Sequence, residues 1–332
     1  MKFQSLFSIC LISLTCIITG TSACPLKQWE ESLDESLSLH TVDVDGEILH
    51  YYLYLPSQNP IEAILIIPPL GGNHVSYLVG ATWGPSEGNM TDSPLVRRAK
   101  IYNFALVFAE GKKNDWYSPN NGEKKVLSCL KDANNTFLQL SNTKWFIYGF
   151  SMGGAGAITI TVRNPNLFNG LFSGGGMPDL TNDIWIAYYN KTWQSNELIK
   201  TASPQQHLEV FSNRTIFLAC GFGDPIVVNY DNFSRILDNH NIRHYYGRVE
   251  GGHTYQMLLD TMNQTFSMFY HHVTGTLDDF FEGYSSPLTS TKISSTSNLD
   301  FIIPIFTLFF LTTIFLVRRK KHSHTLRTSK CS

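Results

Sequence analysis

Apolar positions along this chain come in short runs, separated by breaks rich in glycine, proline and asparagine. Residues 39–56 alternate about Asp45-Gly46, the dipeptide of a tight hairpin, and predict two antiparallel strands. Residues 63–67, 104–108, 145–148, 171–173, 215–220 and 244–249 are apolar or aromatic runs, which predict strands covered on both faces. Residues 95–102, 126–140, 230–239 and 257–271 suit helices, as does the apolar stretch after Ser151. Strands alternating with helices predict an α/β fold, a mostly parallel central sheet flanked by helices. Residues 177–213 are less regular, carry Trp185, Tyr188, Tyr189 and Trp193, and predict a small cap or insertion.

Both ends depart from this pattern. Residues 1–23 begin with Lys2, continue with an apolar run and close on Thr21-Ser22-Ala23, which predicts a cleavable signal peptide. Cys24 would then be first in the mature chain, and a lipidated Cys24 is the alternative. Residues 301–317 contain no charge, follow Asp300 and precede Arg318-Arg319-Lys320-Lys321. At the helical rise they span about 25 Å, which predicts a transmembrane helix with a cytoplasmic basic tail at 318–332. The body, residues 24–282, would face the outside or a lumen. The Ser/Thr-rich residues 283–300 would form a stalk. N-x-[ST] sequons begin at Asn89, Asn134, Asn190, Asn213, Asn232 and Asn263, all between signal and anchor.

Composition narrows the reading further. A formal net charge of −2 over 332 residues excludes a basic nucleic-acid-binding surface as the organising feature. Cys10, Cys16 and Cys331 fall in the two ends. Cys129 and Cys220 lie in apolar surroundings and are expected as buried thiols, with no metal-ligand spacing. Neither metal nor organic cofactor is expected.

Candidate chemistry centres on Gly149-Phe150-Ser151-Met152-Gly153, a G-x-S-x-G pattern between a predicted strand and a predicted helix. A sharp turn there would lift Ser151 out of the backbone and leave the first helical N–H groups facing developing negative charge. A serine hydroxyl needs a base, and the base needs an acid to hold its tautomer. Asp224 follows the strand ending at Cys220, and His253 follows the last strand. The order Ser151, Asp224, His253 suits this arrangement, with all three on loops at the carboxyl ends of strands. The oxyanion donors are expected to be the N–H of Met152 and one near Leu70 or Gly71, in the loop after the 63–67 strand. His74, beside that loop, is expected in the substrate site or as a structural residue.

These motifs together resemble the esterase D branch of the α/β-hydrolases, which includes S-formylglutathione hydrolases and tributyrin esterases. GFSMGGAGA with the following Arg163, Pro165 and Phe168 is similar to that family's elbow. CGFGDP with Asn229 and Phe233 is similar to its acid loop, VEGGHTY to its histidine loop, and GGNHVSY to its oxyanion loop. EGKKNDWYS is similar to its loop beside the site. The resemblance covers residues 43–270 and implies an α/β-hydrolase fold. It implies Ser151 as nucleophile, Asp224 as acid and His253 as base, with Trp116 and Tyr117 in the pocket. Pro68 and Pro69 stand where the family usually has histidine and glycine.

The expected function is a membrane-anchored serine carboxylesterase acting on small or medium acyl esters, with a small-molecule substrate and no nucleic-acid partner. An acyltransferase using the same residues and a non-catalytic adhesion ectodomain are the alternatives. Nothing in the sequence bears on oligomeric state.

Overall fold

The computed structural model describes residues 37–284, apart from 57–58, 79–92, 112–113, 142 and 181–188. The expected signal peptide, the membrane segment, the basic tail and all but the first two residues of the stalk lie outside the described residues, as do Cys24, Asn89, Trp185 and Tyr188. Among the described residues no helix is long and apolar enough to cross a membrane.

The hairpin forms where Asp45-Gly46 predicts it. Strands β1 (Leu37–Val44) and β2 (Glu47–Tyr54) pair antiparallel with Val44 opposite Glu47. Both turn residues take positive φ, 56° and 81°, as the tight turn requires. Strands β3 (Glu62–Ile67), β4 (Phe104–Ala109), β5 (Trp145–Phe150), β6 (Phe168–Gly174), β7 (Thr215–Gly221) and β8 (Tyr245–Val249) complete one sheet, in the order β1-β2-β4-β3-β5-β6-β7-β8. β2 meets β4 antiparallel, and every pair from β4 to β8 is parallel.

The helices are α1 (Pro94–Tyr102), α2 (Lys124–Thr136), α3 (Met152–Arg163), α4 (Asn196–Thr201), α5 (Val227–Asn239), α6 (Gln256–Thr274) and α7 (Leu277–Gly283). They cover both faces, which explains the unbroken apolar runs. In β3, Ala63, Leu65 and Ile67 enter one core with α2, α3 and α5, and Ile64 and Ile66 enter the other with α1 and α6. On the second side Phe146 of β5 stacks on Phe269 of α6, ring centroids 4.2 Å apart. Cys129 and Cys220 are free and buried.

Two boundaries differ from expectation. The helix expected over 126–140 begins at Lys124 and stops at Thr136, and Leu138–Leu140 form a separate 3₁₀ turn. Glu123 lies just before it, buried, holding Arg163 Nε at 2.9 Å and Asn164 Nδ2 at 3.0 Å, so the start of α2 is tied to the end of α3. Helix α7 was not expected, and it carries regular structure to the first residue assigned to the stalk. It is short and buries only Phe280. Its sequence signals are Asp278 and Asp279 in the first turn.

His74 is buried against β2. It is 5% exposed, lies against Tyr52 and stacks on His50 of β2, with ring centroids 5.5 and 5.7 Å away. Neither ring nitrogen has a hydrogen-bond partner among the described residues, and Nδ1 lies 4.0 Å from Glu110 Oε2. Burial pulls its pKa from 6.5 down to about 4; Glu110 opposes that shift and His50 adds to it.

Two outcomes follow from this packing. Phe146→Ala should cost about 3–5 kcal/mol in chemical denaturation, since it empties a stacked site between sheet and helix; a loss below about 1 kcal/mol would contradict the packing described. The second concerns acid. Between about 6.5 and 4 the unfolded His74 holds a proton that the folded one does not, so its contribution to stability is present above that window and declines as pH falls through it. The full effect is on the order of 3 kcal/mol. Unfolding titrations of wild type and His74→Phe should show a steeper acid decline in wild type, and parallel curves would refute this.

Candidate active site

The site is built where β5 turns into α3. Ser151 occupies that turn with φ 57° and ψ −121°, a backbone conformation that an L-residue holds only when its surroundings enforce it. Its N–H donates to the Gly174 carbonyl of β6 at 2.8 Å. The flanking glycines are steric requirements. A Cβ on Gly149 would lie 2.2 Å from the Gly153 carbonyl oxygen, and one on Gly153 would lie 2.5 Å from the Ile67 carbonyl oxygen. Helix α3 therefore starts against the end of β3, with Met152 as its first residue.

The three expected side chains come together. His253 Nε2 is 2.9 Å from Ser151 Oγ, and His253 Nδ1 is 2.7 Å from Asp224 Oδ2. A carboxylate oxygen only accepts, so the proton sits on Nδ1 and Nε2 is left to accept from the serine hydroxyl. The Asp224 side chain is sealed from solvent, whereas the histidine ring is about one third exposed (37%). Asp224 Oδ1 takes the Ile226 N–H at 3.0 Å, so both carboxylate oxygens are engaged. Phe150 lies beside the imidazole, ring centroids 4.8 Å apart.

Acid and base meet because their loops are joined through the backbone. Phe222 N–H donates to the Val249 carbonyl at 2.9 Å, and Gly223 N–H to the Gly251 carbonyl at 2.7 Å. Gly221 permits this approach, since a Cβ there would lie 2.6 Å from the Gly251 and Gly252 oxygens.

The expected oxyanion donors separate into two kinds. Met152, first in α3, has no intrahelical partner for its N–H. Gly71, at φ 74°, is corrected: its N–H donates to Asn114 Oδ1 at 3.0 Å. Gly72 N–H closes a turn on the Pro69 carbonyl at 2.9 Å, and the two prolines have no N–H. Leu70 is left; it is 52% exposed, with an N–H that has no partner among the described residues.

Tyr117 enters the core, whereas Trp116 packs against the expected cap. Tyr117 is fully buried, its hydroxyl donates to the Pro68 carbonyl, and its ring fills the space where Gly156 of α3 lacks a Cβ. Trp116 is half-buried; its carbonyl accepts from Trp193 Nε1 at 3.1 Å, and its ring lies 5.4 Å from that of Tyr189. Tyr189 and Trp193 belong to a small separate core with Leu180, Ile199 and Ala202, the described part of the expected cap. Asn114, Trp116 and Tyr117 all have positive φ. Asp115 holds this loop, accepting from Tyr117 N–H at 3.0 Å, Ser118 Oγ at 3.1 Å and Gly122 N–H at 2.7 Å. Asp115 was not singled out from sequence, although an aspartate three residues before a serine is a turn signal. Tyr77, the last residue of the GGNHVSY motif, was given no role of its own: its hydroxyl contacts Ile67 and Phe150.

Elsewhere, a cavity of about 600 Å³ opens beside Glu62, Leu138, Thr143 and Lys144. Glu62 and Lys144 lie at the amino ends of β3 and β5, the edge opposite Ser151, so this cavity has no part in the site. Burial raises the Glu62 carboxyl to about 7, partly offset by a hydrogen bond from Asn169 and by Lys144. Among the described residues, no three His, Cys, Asp or Glu side chains are grouped to hold a metal ion.

Comparison with known proteins agrees with this geometry. The family described as "Esterase: Putative esterase" matches residues 109–267. No curated protein matches the chain. Among solved structures, the fluorophosphonate-binding serine hydrolase F of Staphylococcus aureus is similar at TM-score 0.58 and 15% identity, over 70% of this chain and 98% of that one. An S-formylglutathione hydrolase from Agrobacterium tumefaciens gives 0.57 and 12%, over 71% and 95%. An esterase B from Lactobacillus rhamnosis gives 0.55 and 12%, over 82% and 99%. At these identities the structural likeness speaks for the fold; the family match spans Ser151, Asp224 and His253. That match covers just under half of the chain, and with this fold it supports a serine carboxylic ester hydrolase similar to the esterase D branch of the α/β-hydrolases.

Proposed function

We propose that this protein hydrolyses small or medium acyl esters through an acyl-enzyme on Ser151, with its hydrolase body held at a membrane by residues 301–317. The observation that carries the catalytic reading is the hydrogen-bonded series Ser151–His253–Asp224, set on a strained turn at the carboxyl edge of the sheet. Ser151 Oγ attacks the ester carbonyl while His253 Nε2 takes its proton. The carbonyl oxygen becomes an oxyanion that accepts from the N–H groups of Met152 and Leu70. The C–O bond to the alcohol breaks, and His253 returns the proton to the departing oxygen. Water then approaches from the exposed side of the imidazole, gives a proton to Nε2 and attacks the acyl carbon. The acid leaves as Ser151 regains its proton. Asp224 keeps Nδ1 protonated and offsets the charge of the imidazolium in both halves.

The short cap supports the preference for small or medium acyl groups, because residues 177–213 offer limited length to enclose a long chain. The anchor rests on the uncharged run at 301–317 and the basic cluster after it.

A fluorophosphonate probe should label the wild type and leave Ser151→Ala unlabelled; equal labelling of both would remove Ser151 from the role. Asp224→Asn should lower kcat by roughly three to four orders of magnitude while the protein stays folded, because the imidazole then adopts the wrong tautomer. A loss of less than tenfold would take Asp224 out of the mechanism. Across p-nitrophenyl esters, kcat/KM should peak at short to medium acyl length, and a steady rise to long chains would reject that preference. Deleting residues 301–332 should move activity from the membrane to the soluble fraction with kcat unchanged, and activity retained on washed membranes would argue against the anchor.

A further inference from the structure

The N–H groups of Leu70 and Met152 hang from the ends of two different strands, β3 and β5. Something must fix the gap between them, and the sheet ladder does not. The last β3–β5 pair is Ile67 with Gly149, and Pro68 and Pro69 have no N–H with which to continue it. One residue beyond that pair a side chain takes over. The buried Tyr77 hydroxyl accepts the Phe150 N–H at 3.0 Å and donates to the Ile67 carbonyl at 3.2 Å. It occupies the place of a ladder bond just where the strands part. From the opposite core, the Tyr117 hydroxyl donates to the next carbonyl, that of Pro68.

Both rings are rigidly seated. Tyr77 meets Tyr148 and Tyr255 edge-on, at 6.3 and 6.0 Å between centroids. Tyr117 rests on Gly156 in α3, the helix that Met152 begins, and its loop is tied down by Asp115. A buried hydroxyl is costly to leave unpaired, so each is held to its carbonyl. Two successive carbonyls at the root of the 68–72 loop are thus gripped from the two sides of the sheet, one by a residue bonded to the elbow strand and one by a residue packed on the elbow helix.

We propose that the hydroxyls of Tyr77 and Tyr117 are positioning groups that set the separation of the Leu70 and Met152 N–H donors, and so the fit of the oxyanion. The proposal rests on Ser151 as nucleophile. Neither tyrosine touches substrate in this account; each acts through backbone.

Tyr77→Phe and Tyr117→Phe keep the rings and remove only the hydroxyls. Each should lower kcat on a p-nitrophenyl ester about 10- to 100-fold, the scale of a small misplacement, with KM within about twofold. A trifluoromethyl ketone isostere, which forms an oxyanion on Ser151, should lose affinity by the same factor as kcat/KM. An ether isostere, which forms none, should bind unchanged. If both variants keep kcat and ketone affinity within about twofold, in a protein whose wild type takes the fluorophosphonate label, the proposal is overturned while the catalytic reading stands. If ether binding falls in step with kcat and the melting temperature drops, the hydroxyls serve only the fold and the proposal is likewise overturned. Failure of the wild type to label would defeat the catalytic reading itself, and the proposal with it. Tyr117→Phe leaves the strand ends untouched and carries the test should Tyr77→Phe not fold.

Discussion

Helix α3 begins closer to the sheet than any side chain would permit, and the site depends on that contact. Gly153 lets the first turn rest on the Ile67 carbonyl, and Gly149 lets the same turn fold back over the strand it came from. Farther along α3, Gly154 meets the Gly174 carbonyl, where a Cβ would stand 2.8 Å from the oxygen. The serine's positive φ is a consequence. A backbone pressed this tightly between β3 and β6 has no room for a relaxed turn. What the strained turn provides is a hydroxyl standing clear of the backbone beside an N–H that the helix cannot use.

The acid and base obey a related constraint on the other side of the elbow. β7 and β8 are neighbours in the sheet, and their loops continue to bond to each other past the strand ends. This places Asp224 under His253. The asymmetry of exposure then divides the work. The carboxylate is shut away from water, where its pull on the imidazole is strong, and the imidazole edge that must exchange protons faces outward.

Much of this arrangement could be read from residue order alone, for a definite reason. Parallel strands covered on both faces leave unbroken apolar runs, and loops after such strands carry the polar residues, so Ser151, Asp224 and His253 stood out by position. The β2-β4-β3-β5 order of neighbours is set by long-range packing that no local pattern encodes. The same holds for Tyr117 and His74. An aromatic or imidazole ring near a functional loop looks alike in sequence whether it faces a substrate or a core, and here both face cores. Gly71 was plausible as a donor until Asn114, more than forty residues along the chain, was seen to take its N–H. Tyr77 closes the GGNHVSY motif, but its contacts could not be read from it, because they are made to two backbone atoms of other segments. Helix α7 was missed because it buries too little to show a periodic face.

The place of β5 in the strand order has a bearing on dynamics. It lies between β3 and β6, well inside the sheet, and all six of its residues are buried. The β1–β2 hairpin lies at one edge, separated from β5 by β4 and β3. Exchange of the Phe150 and Ser151 amides with solvent deuterium then demands an opening close to that of the whole domain, whereas hairpin amides exchange through local fraying. The turn that carries Ser151 is thus exposed by global rather than local opening.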